Sequence, residues 1–245
     1  MQALSGNDRR ELENLVRRLR RGDGLMQADF DVLIQSWQAK AAPAEKEKAE
    51  RFAVARPDGT ETDVIGPRWA FHLFGLRHRA AHVALRTETG LILLQKRSPT
   101  KADWPDALDI TVAGHIPREP GQPPASWEAG AWKEISEEIG LNEADANENF
   151  AEGCLVPIGE PYFSLDRDWK RDTPFINAEV RQIFAATLTG AALSRLQFSD
   201  NEVAGLLLIP LETAWDLLIS ENIASGLRYS LPRVLNHYEY EQISP

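Results

Sequence analysis

Apolar positions in the first 50 residues recur with the period of an amphipathic helix. They form two stripes with i, i+3, i+4 spacing, and this spacing predicts two α-helices that can face each other as a hairpin. The first stripe is Leu12, Leu15, Val16 and Leu19, and the second is Phe30, Leu33, Ile34 and Trp37. The segment 39–50 is rich in small and charged residues and reads as a linker or an exposed helix. We therefore expect residues 1–50 to be a helical extension and residues 51–245 to be the main domain.

From residue 51 onward the apolar runs become short and are separated by turn residues, a pattern typical of β-strands. Pro57-Asp58-Gly59 and Glu88-Thr89-Gly90 each lie between two such runs and predict hairpins. The predicted strands are Phe52–Val54, Thr62–Ile65, Ala80–Arg86, Leu91–Gln95, Ile110–Ala113, Ile183–Leu188 and Gly205–Ile209. One central helix is predicted from a Ser126 cap to Leu141, and closing helices over Leu211–Ile219 and Pro232–Tyr240. Strands mixed with helices predict an α/β or α+β fold.

Composition excludes several classes of function. Lys and Arg number 27 against 37 Asp and Glu, so the formal charge of −10 argues against binding to a nucleic-acid backbone. The single cysteine, Cys154, excludes a disulfide framework and fits a reducing compartment, for which we expect the cytoplasm. No apolar run reaches the length of a membrane span, and the first residues lack the apolar core of a secretory signal. We expect neither nucleic acid nor membrane as a partner.

The predicted central helix carries three glutamates on one face. Glu134, Glu137 and Glu138 stand at i, i+3 and i+4, where like charges repel each other. A hard divalent cation such as Mg²⁺ would offset this repulsion, because it prefers carboxylate oxygens and retains waters for a phosphate ligand. The alternative is an acidic face that is only solvated.

The same helix, together with a glycine upstream, resembles the sequence motif of the Nudix hydrolases. That motif reads G-x5-E-x7-R-E-U-x-E-E-x-G-U, where U is aliphatic. Its second half matches the segment from Lys133 to Leu141, with Lys133 in place of the arginine. Its first glycine matches Gly114, but the spacing to Lys133 is about five residues longer, and the extra residues fall in the proline-rich segment 118–125.

Elements outside this motif resemble the Nudix subgroup related to isopentenyl diphosphate isomerase. They are His78-Arg79-Ala80-Ala81-His82-Val83, Leu93-Leu94-Gln95-Lys96-Arg97-Ser98, Lys101, Trp104-Pro105, Asp109, Asn177-Ala178-Glu179 and Glu202-Val203. The resemblance extends from about Arg51 to Leu218 and implies a Nudix-type α/β/α sandwich with a mixed sheet.

By this resemblance the protein is a Mg²⁺- or Mn²⁺-dependent hydrolase of a diphosphate linkage in a nucleoside diphosphate derivative or a similar small molecule. The implied metal ligands are Glu134, Glu137, Glu138 and the Gly114 carbonyl. Glu134, Glu137 and Lys133 are the implied catalytic residues, and Glu179 and Glu202 are candidates for a further acid.

Substrate contacts are expected from a basic cluster ahead of the helix and from residues beside it. Lys96, Arg97 and Lys101 could receive phosphates. Alternatively, they could be one structural ion pair plus solvated lysines. Trp104 could stack on a base, or could serve only in packing. His115 is a further candidate, while histidines at strand ends are often hydrogen-bonded structural residues.

Two alternatives remain beside the hydrolase. A non-catalytic ligand-sensing module could use the same fold, with the N-terminal helices as its partner-binding element. Isomerase activity is disfavoured, because the isomerase relatives have a cysteine where this chain has Ala113, and a glutamate where it has Asn177. The amphipathic N-terminal pair makes a homodimer our default expectation.

Overall fold

The computed structural model describes residues 6–21, 26–41, 43–101, 103–168, 175–198, 201–219 and 222–243. Helices and strands alternate irregularly along it, which confirms the α+β fold class. The α-helices are α1 Gly6–Arg21, α2 Gln27–Trp37, α3 Pro43–Glu47, α4 Arg68–Phe74, α5 Trp127–Ile139, α6 Ala146–Asn149, α7 Gly190–Leu193, α8 Leu211–Ala214 and α9 Ser225–Ile243. The strands are β1 Arg51–Ala55, β2 Glu61–Pro67, β3 Arg77–Thr87, β4 Ile92–Arg97, β5 Leu108–Ile110, β6 Val112–His115, β7 Val156–Asp168, β8 Phe175–Leu188 and β9 Val203–Ile209. Short 3₁₀ helices cover Gln38–Lys40, Glu143–Asp145 and Trp215–Ile219.

The described residues fall into two compact units. The first unit draws on Met1–Arg79, His115–Ala125 and Pro161–Arg181. The second draws on Ala80–Gly114, Ser126–Glu160 and Gln182–Pro245. Each unit is therefore assembled from segments that are distant in the sequence.

The N-terminal helices contribute directly to the core of the first unit. Leu19 of α1 and Phe30 and Leu33 of α2 are almost fully buried in one cluster with residues of β1, β2 and α4. The rings of Phe30 and Phe71 meet edge to face, with centroids 5.9 Å apart. The two predicted helices are confirmed, and the predicted β1–β2 hairpin is present as an antiparallel pair. A domain boundary at residue 50 remains a prediction.

Helix α4 was not predicted from the pattern. Its sequence RWAFHLF is buried on nearly every side, so it lacks the polar stripe that reveals a helix at a surface. Gly75 ends it in the left-handed conformation with φ of +61°.

Strand β4 has three partners in the seven-stranded sheet. It pairs antiparallel with β3, β5 and β9, and the pairing of Leu85 with Leu93 confirms the second predicted hairpin. The full order is β5-β4-β3-β8-β7, with β6 beside β3 and β9 beside β4. The predicted strand Ile110–Ala113 is wrong, because β5 ends at Ile110 and β6 begins at Val112. Between them, the Thr111 hydroxyl takes the place of a backbone partner for Leu85 N and Leu93 O.

Helix α5 begins and ends where its sequence signals predict. The Ser126 side chain accepts a hydrogen bond from Ala129 N at 2.9 Å, and Gly140 ends the helix with φ of +74°. Ile135 and Ile139 are fully buried and fix which face turns inward.

The C-terminal helices differ from their predicted bounds. The predicted helix Leu211–Ile219 is a four-residue helix continued by a 3₁₀ segment. The last helix begins seven residues before Pro232 and includes it. In the described part of the chain, no helix combines the length and the low polarity needed to cross a membrane.

Candidate active site and metal-binding residues

The three glutamates of α5 differ in burial. Glu134 and Glu138 are 7% and 2% exposed, while the Glu137 side chain is about half exposed. The Glu138 carboxylate accepts hydrogen bonds from the Gln95 side-chain amide at 3.0 Å and from Ala113 N at 3.2 Å. The acidic face is therefore turned toward β4 and β6 of its own unit.

Gly114 lies against the Glu134 carboxylate. A Cβ atom placed on Gly114 would come within 1.9 Å of Glu134 Oε2. Only a residue without a side chain permits this approach of backbone to carboxylate. The glycine at the end of β6 and the first glutamate of the helix thus form one site, as their resemblance to the Nudix motif implies.

Lys133 bridges two of the glutamates. Its Nζ donates to Glu134 Oε1 at 2.9 Å and to Glu137 Oε2 at 2.6 Å. Burial alone would lower the pKa of Lys133, but the Glu134 and Glu137 carboxylates raise it above its ordinary value. Lys133 therefore stays charged and holds these two side chains in place.

Among the described residues no lysine or arginine forms a direct ion pair with Glu138, although Arg97 interacts with its charge. Burial, and then the charge of Glu134, raise the pKa of Glu138 well above its ordinary value, although Lys101 and the Ala113 amide act in the opposite sense. Lys101 is itself paired with Glu202, the predicted further acid of this unit. Lys133 thus pairs with Glu134 and Glu137, Lys101 pairs with Glu202, and Arg97 interacts electrostatically with Glu138 and Glu202.

This donor set fits a hard divalent cation. Carboxylate oxygens are the ligands that Mg²⁺ and Mn²⁺ prefer. The buried Gln95 Oε1, on the amide that contacts Glu138, has no hydrogen-bond partner among the described residues. An oxygen in that position would be satisfied by a cation or its water.

Residues of the basic cluster predicted to bind substrate form ion pairs and hydrogen bonds within the protein. Arg97 is buried and lies 3.1 Å from carboxylate oxygens of both Asp103 and Asp109. Lys96 donates to the Asp106 carbonyl. Trp104 lies in the loop between Asp103 and Asp106. It is 36% exposed and has a positive φ of 47°. Phosphate binding by Lys96, Arg97, Lys101 and base stacking by Trp104 remain predictions.

The first unit contains a second cluster that can hold a metal. The ligand atoms of His72, His78 and His115 lie within 4.8 Å of one another, the one group of three so close among the described histidine, cysteine and acidic residues. The ring of Phe52 stacks on His78, with centroids 4.8 Å apart.

Each imidazole of this cluster is held through Nδ1. His72 Nδ1 lies 2.9 Å from Glu45 Oε2, His78 Nδ1 lies 3.0 Å from Leu76 O, and His115 Nδ1 lies 2.8 Å from Arg68 Nη1. Within the described chain, Nε2 of His72 and of His78 has no hydrogen-bond partner. Neutral imidazoles oriented through one nitrogen are the usual form of histidine ligands.

Burial keeps two of these histidines neutral. It lowers the pKa of His78 to about 3, with the neighbouring His115 acting in the same sense. It also lowers the pKa of His72 well below its ordinary value, with Arg68 adding to the effect. Both rings are therefore available as metal ligands at neutral pH.

Glu179, the second predicted acid, belongs to this histidine cluster. It lies 3.0 Å from His115 Nε2, contacts Arg181, and accepts a hydrogen bond from Asn177 at 2.8 Å. Burial by itself raises the pKa of Glu179, but Arg181 and the His115 hydrogen bond outweigh it, and the pKa falls well below its ordinary value. His115 and Glu179 are thus placed together, in the first unit.

Sequence reasoning missed four participants. Gln95 was part of a recognised segment but had no assigned role, and His78 was read as structural. His72 and Glu45 gave no signal, because α4 has no periodic pattern and Glu45 lies in the charged segment that reads as a linker. Only the contact between His72 and Glu45 identifies them.

Comparisons with known proteins agree with the resemblance seen in the sequence. No family model matches the chain. Over 181 residues, 71% of its length, it is 32% identical to the Arabidopsis thaliana protein named Nudix hydrolase 3. The chain spans only 21% of that relative. This likeness supports the Nudix hydrolase family and does not confirm the isomerase-like subgroup.

One solved structure supports the fold. The protein DR0079 from Deinococcus radiodurans superposes with a TM-score of 0.52 at 18% identity, covering 75% of this chain and 98% of that one. A MutT Nudix hydrolase from Burkholderia pseudomallei has a TM-score of 0.44 at 16% identity, covering 64% and 98%.

Proposed function

We propose that this chain is a Nudix hydrolase that cleaves a diphosphate linkage in a nucleoside diphosphate derivative or a similar small organic diphosphate. The observation that carries this proposal is the contact between Gly114 and the buried Glu134 carboxylate, beside Glu138. A solvated acidic helix would need neither the glycine nor the burial. The 32% identity to an Arabidopsis protein of that name supports the same activity.

Glu134, Glu137, Glu138 and the Gly114 carbonyl are the proposed ligands of Mg²⁺ or Mn²⁺. When bound, such an ion neutralises the diphosphate and lowers the pKa of an attacking water. Lys133 holds Glu134 and Glu137 at fixed distances, so both carboxylates are oriented before substrate arrives. Glu134 is our candidate for accepting the proton of that water. Glu202, which pairs with Lys101, is a candidate for a further acid.

The direct test is a substrate screen. Purified protein is incubated with nucleoside diphosphate derivatives, with Mg²⁺ or with EDTA, and the release of nucleotide and phosphate is measured. We expect hydrolysis of at least one compound, only with the metal. Glu137→Gln should abolish it, while Glu128→Gln, the same change at an exposed position of α5, should leave it intact.

The same screen separates the alternatives. A ligand-sensing module would bind one of the compounds without releasing a product. Isomerase activity requires a proton-transferring group that the Ala113 methyl cannot supply, and the Asn177 amide is not an acid. Formation of dimethylallyl diphosphate from isopentenyl diphosphate would contradict this conclusion.

A further inference from the structure

A cavity of about 750 Å³ in the first unit has no part in the proposed chemistry. Its walls come from α2, from the β1–β2 hairpin and from the proline-rich segment after β6. The polar residues on its lining are Gln27, Asp31, Arg51, Asp63, Arg118 and Gln122. The volume is in the range of small-molecule sites.

Two arginines give this cavity its chemistry. Arg118 is 8% exposed, and its Nη1 has no hydrogen-bond partner in the described structure. Its Nε lies 3.4 Å from Glu61 Oε2, which is a long distance for an ion pair. Arg51, on the same lining, also has a buried Nε without a described partner. These unpartnered atoms have almost no solvent-accessible surface, so a ligand in the cavity would have to meet the remaining nitrogens of the two guanidinium groups.

Behind the cavity, Arg118 shares its carboxylate partner with a further arginine. Glu61 is the carboxylate that faces Arg118, and its other oxygen lies 3.3 Å from Arg79 Nη1. One buried acid thus serves two buried arginines. Burial raises the pKa of Glu61, against the pull of Arg79 and Arg118. Asp31 and Asp63 lie at exposed positions of the lining, where their carboxylates can accept hydrogen bonds from hydroxyl or amino groups of a ligand.

The backbone holds Arg118 and Arg51 in place. Arg118 N donates to Arg51 O at 2.8 Å, which ties the proline-rich segment to β1. Gln27 of α2 is fixed to β2 by two hydrogen bonds with Ile65, at 2.7 and 2.8 Å. The walls are therefore formed before any ligand arrives, which limits the entropic cost of binding.

We propose that this cavity binds a small organic anion, whose phosphate or carboxylate group is held by Arg118 and Arg51. Its polar remainder faces Asp31 and Asp63. The site requires the N-terminal helices and the proline-rich segment 118–125, the two parts of the chain to which the resemblance assigned no role. The proposal stands on the cavity alone and does not depend on the hydrolase activity.

The test is ligand binding to the full chain in EDTA, in a Glu138→Gln background that disables the acidic site. Inorganic phosphate, ribose 5-phosphate and succinate are titrated at constant ionic strength and followed by thermal shift and calorimetry. Ribose and sodium chloride are the controls. We expect saturable stabilisation by phosphate esters, by carboxylates or by both, and the responding compounds identify the class of anion.

Variants tie binding to the cavity. Arg118→Met and Arg51→Met should each weaken the affinity at least about tenfold, since each removes a charge-assisted hydrogen bond. Arg56→Met is the matched control, because Arg56 belongs to the same hairpin and does not line the cavity. If Arg118→Met does not fold, Arg51→Met alone decides. The proposal is overturned if no anion binds better than chloride, or if the folded arginine variants bind as tightly as Arg56→Met.

Discussion

The acidic cluster of the second unit and the histidine cluster of the first show how one physical cause produces opposite protonation states. Burial disfavours the charged form of any side chain. It therefore favours a protonated Glu138, whose pKa is raised, and a deprotonated His78, whose pKa falls to about 3. The neutral form that burial favours is the metal-binding form of a histidine, whereas it is not the metal-binding form of a carboxylate. The two clusters should accordingly differ in metal preference and in their response to pH.

The largest expected effect tests the acidic cluster. Glu138→Gln keeps an oxygen that can accept hydrogen bonds from Gln95 and Ala113, but removes the carboxylate whose ionised form burial penalises. We expect turnover to fall by on the order of 100-fold or more, because several kcal/mol of charge stabilisation depend on the ligand set. Stability in metal-free buffer should rise at the same time. Turnover assays and thermal unfolding check both, and a destabilised but active variant would contradict the assignment.

Gly114→Ala probes the close approach of backbone and carboxylate. The added Cβ displaces Glu134, so we expect turnover to fall about 30-fold, the size expected when a catalytic group is misplaced by about an ångström. Gly205→Ala is the matched control, since a Cβ there meets no atom within 4 Å. Equal activity of the two variants would show that Glu134 need not contact Gly114.

Acid should destabilise the histidine cluster. The pKa of His78 is lowered on folding, so the unfolded chain binds more protons below pH 6.5 and stability falls toward pH 3. Between pH 7.5 and pH 5 this costs about 2 kcal/mol for His78. Glu138 acts in the opposite direction, because a raised carboxyl pKa makes the folded state more stable as pH falls. Urea unfolding of wild type and His78→Asn at pH 7.5 and pH 5 measures this change in the free energy of unfolding. The same pH dependence in both proteins would refute the prediction.

The smallest expected effect concerns metal preference. Zn²⁺ or Co²⁺, which accept imidazole, should stabilise the chain through the histidines, and at ten times Kd the gain is about 1.4 kcal/mol. That shifts Tm by about 3–6 °C for a chain of this size. His72→Asn should remove the shift and His237→Asn should not. The Co²⁺ visible spectrum provides a second readout, and an unchanged spectrum in His72→Asn would place the ion elsewhere.

The acidic cluster was predictable because its sequence determinants are local. Three glutamates at helical spacing, a serine cap and a terminal glycine are all visible within one segment, and the contact with Gly114 follows from the motif that they resemble. The histidine cluster was not predictable, because its members come from α4, β3 and β6, and the distances between them arise only on folding. The cavity was hidden for the same reason, since no single segment of its lining has a distinctive pattern.

The contacts of Glu45 with His72 and Arg68 limit how far the polypeptide can be shortened from its N-terminal side. A chain trimmed to begin at Arg51 would lose the acid that pairs with both, together with the α1 and α2 side chains buried in the same cluster. Such a truncation would expose the aromatic surface of α4 and deprive two buried bases of a shared acid. Expression of the trimmed form should yield aggregates, and limited proteolysis of the intact protein should leave this segment attached.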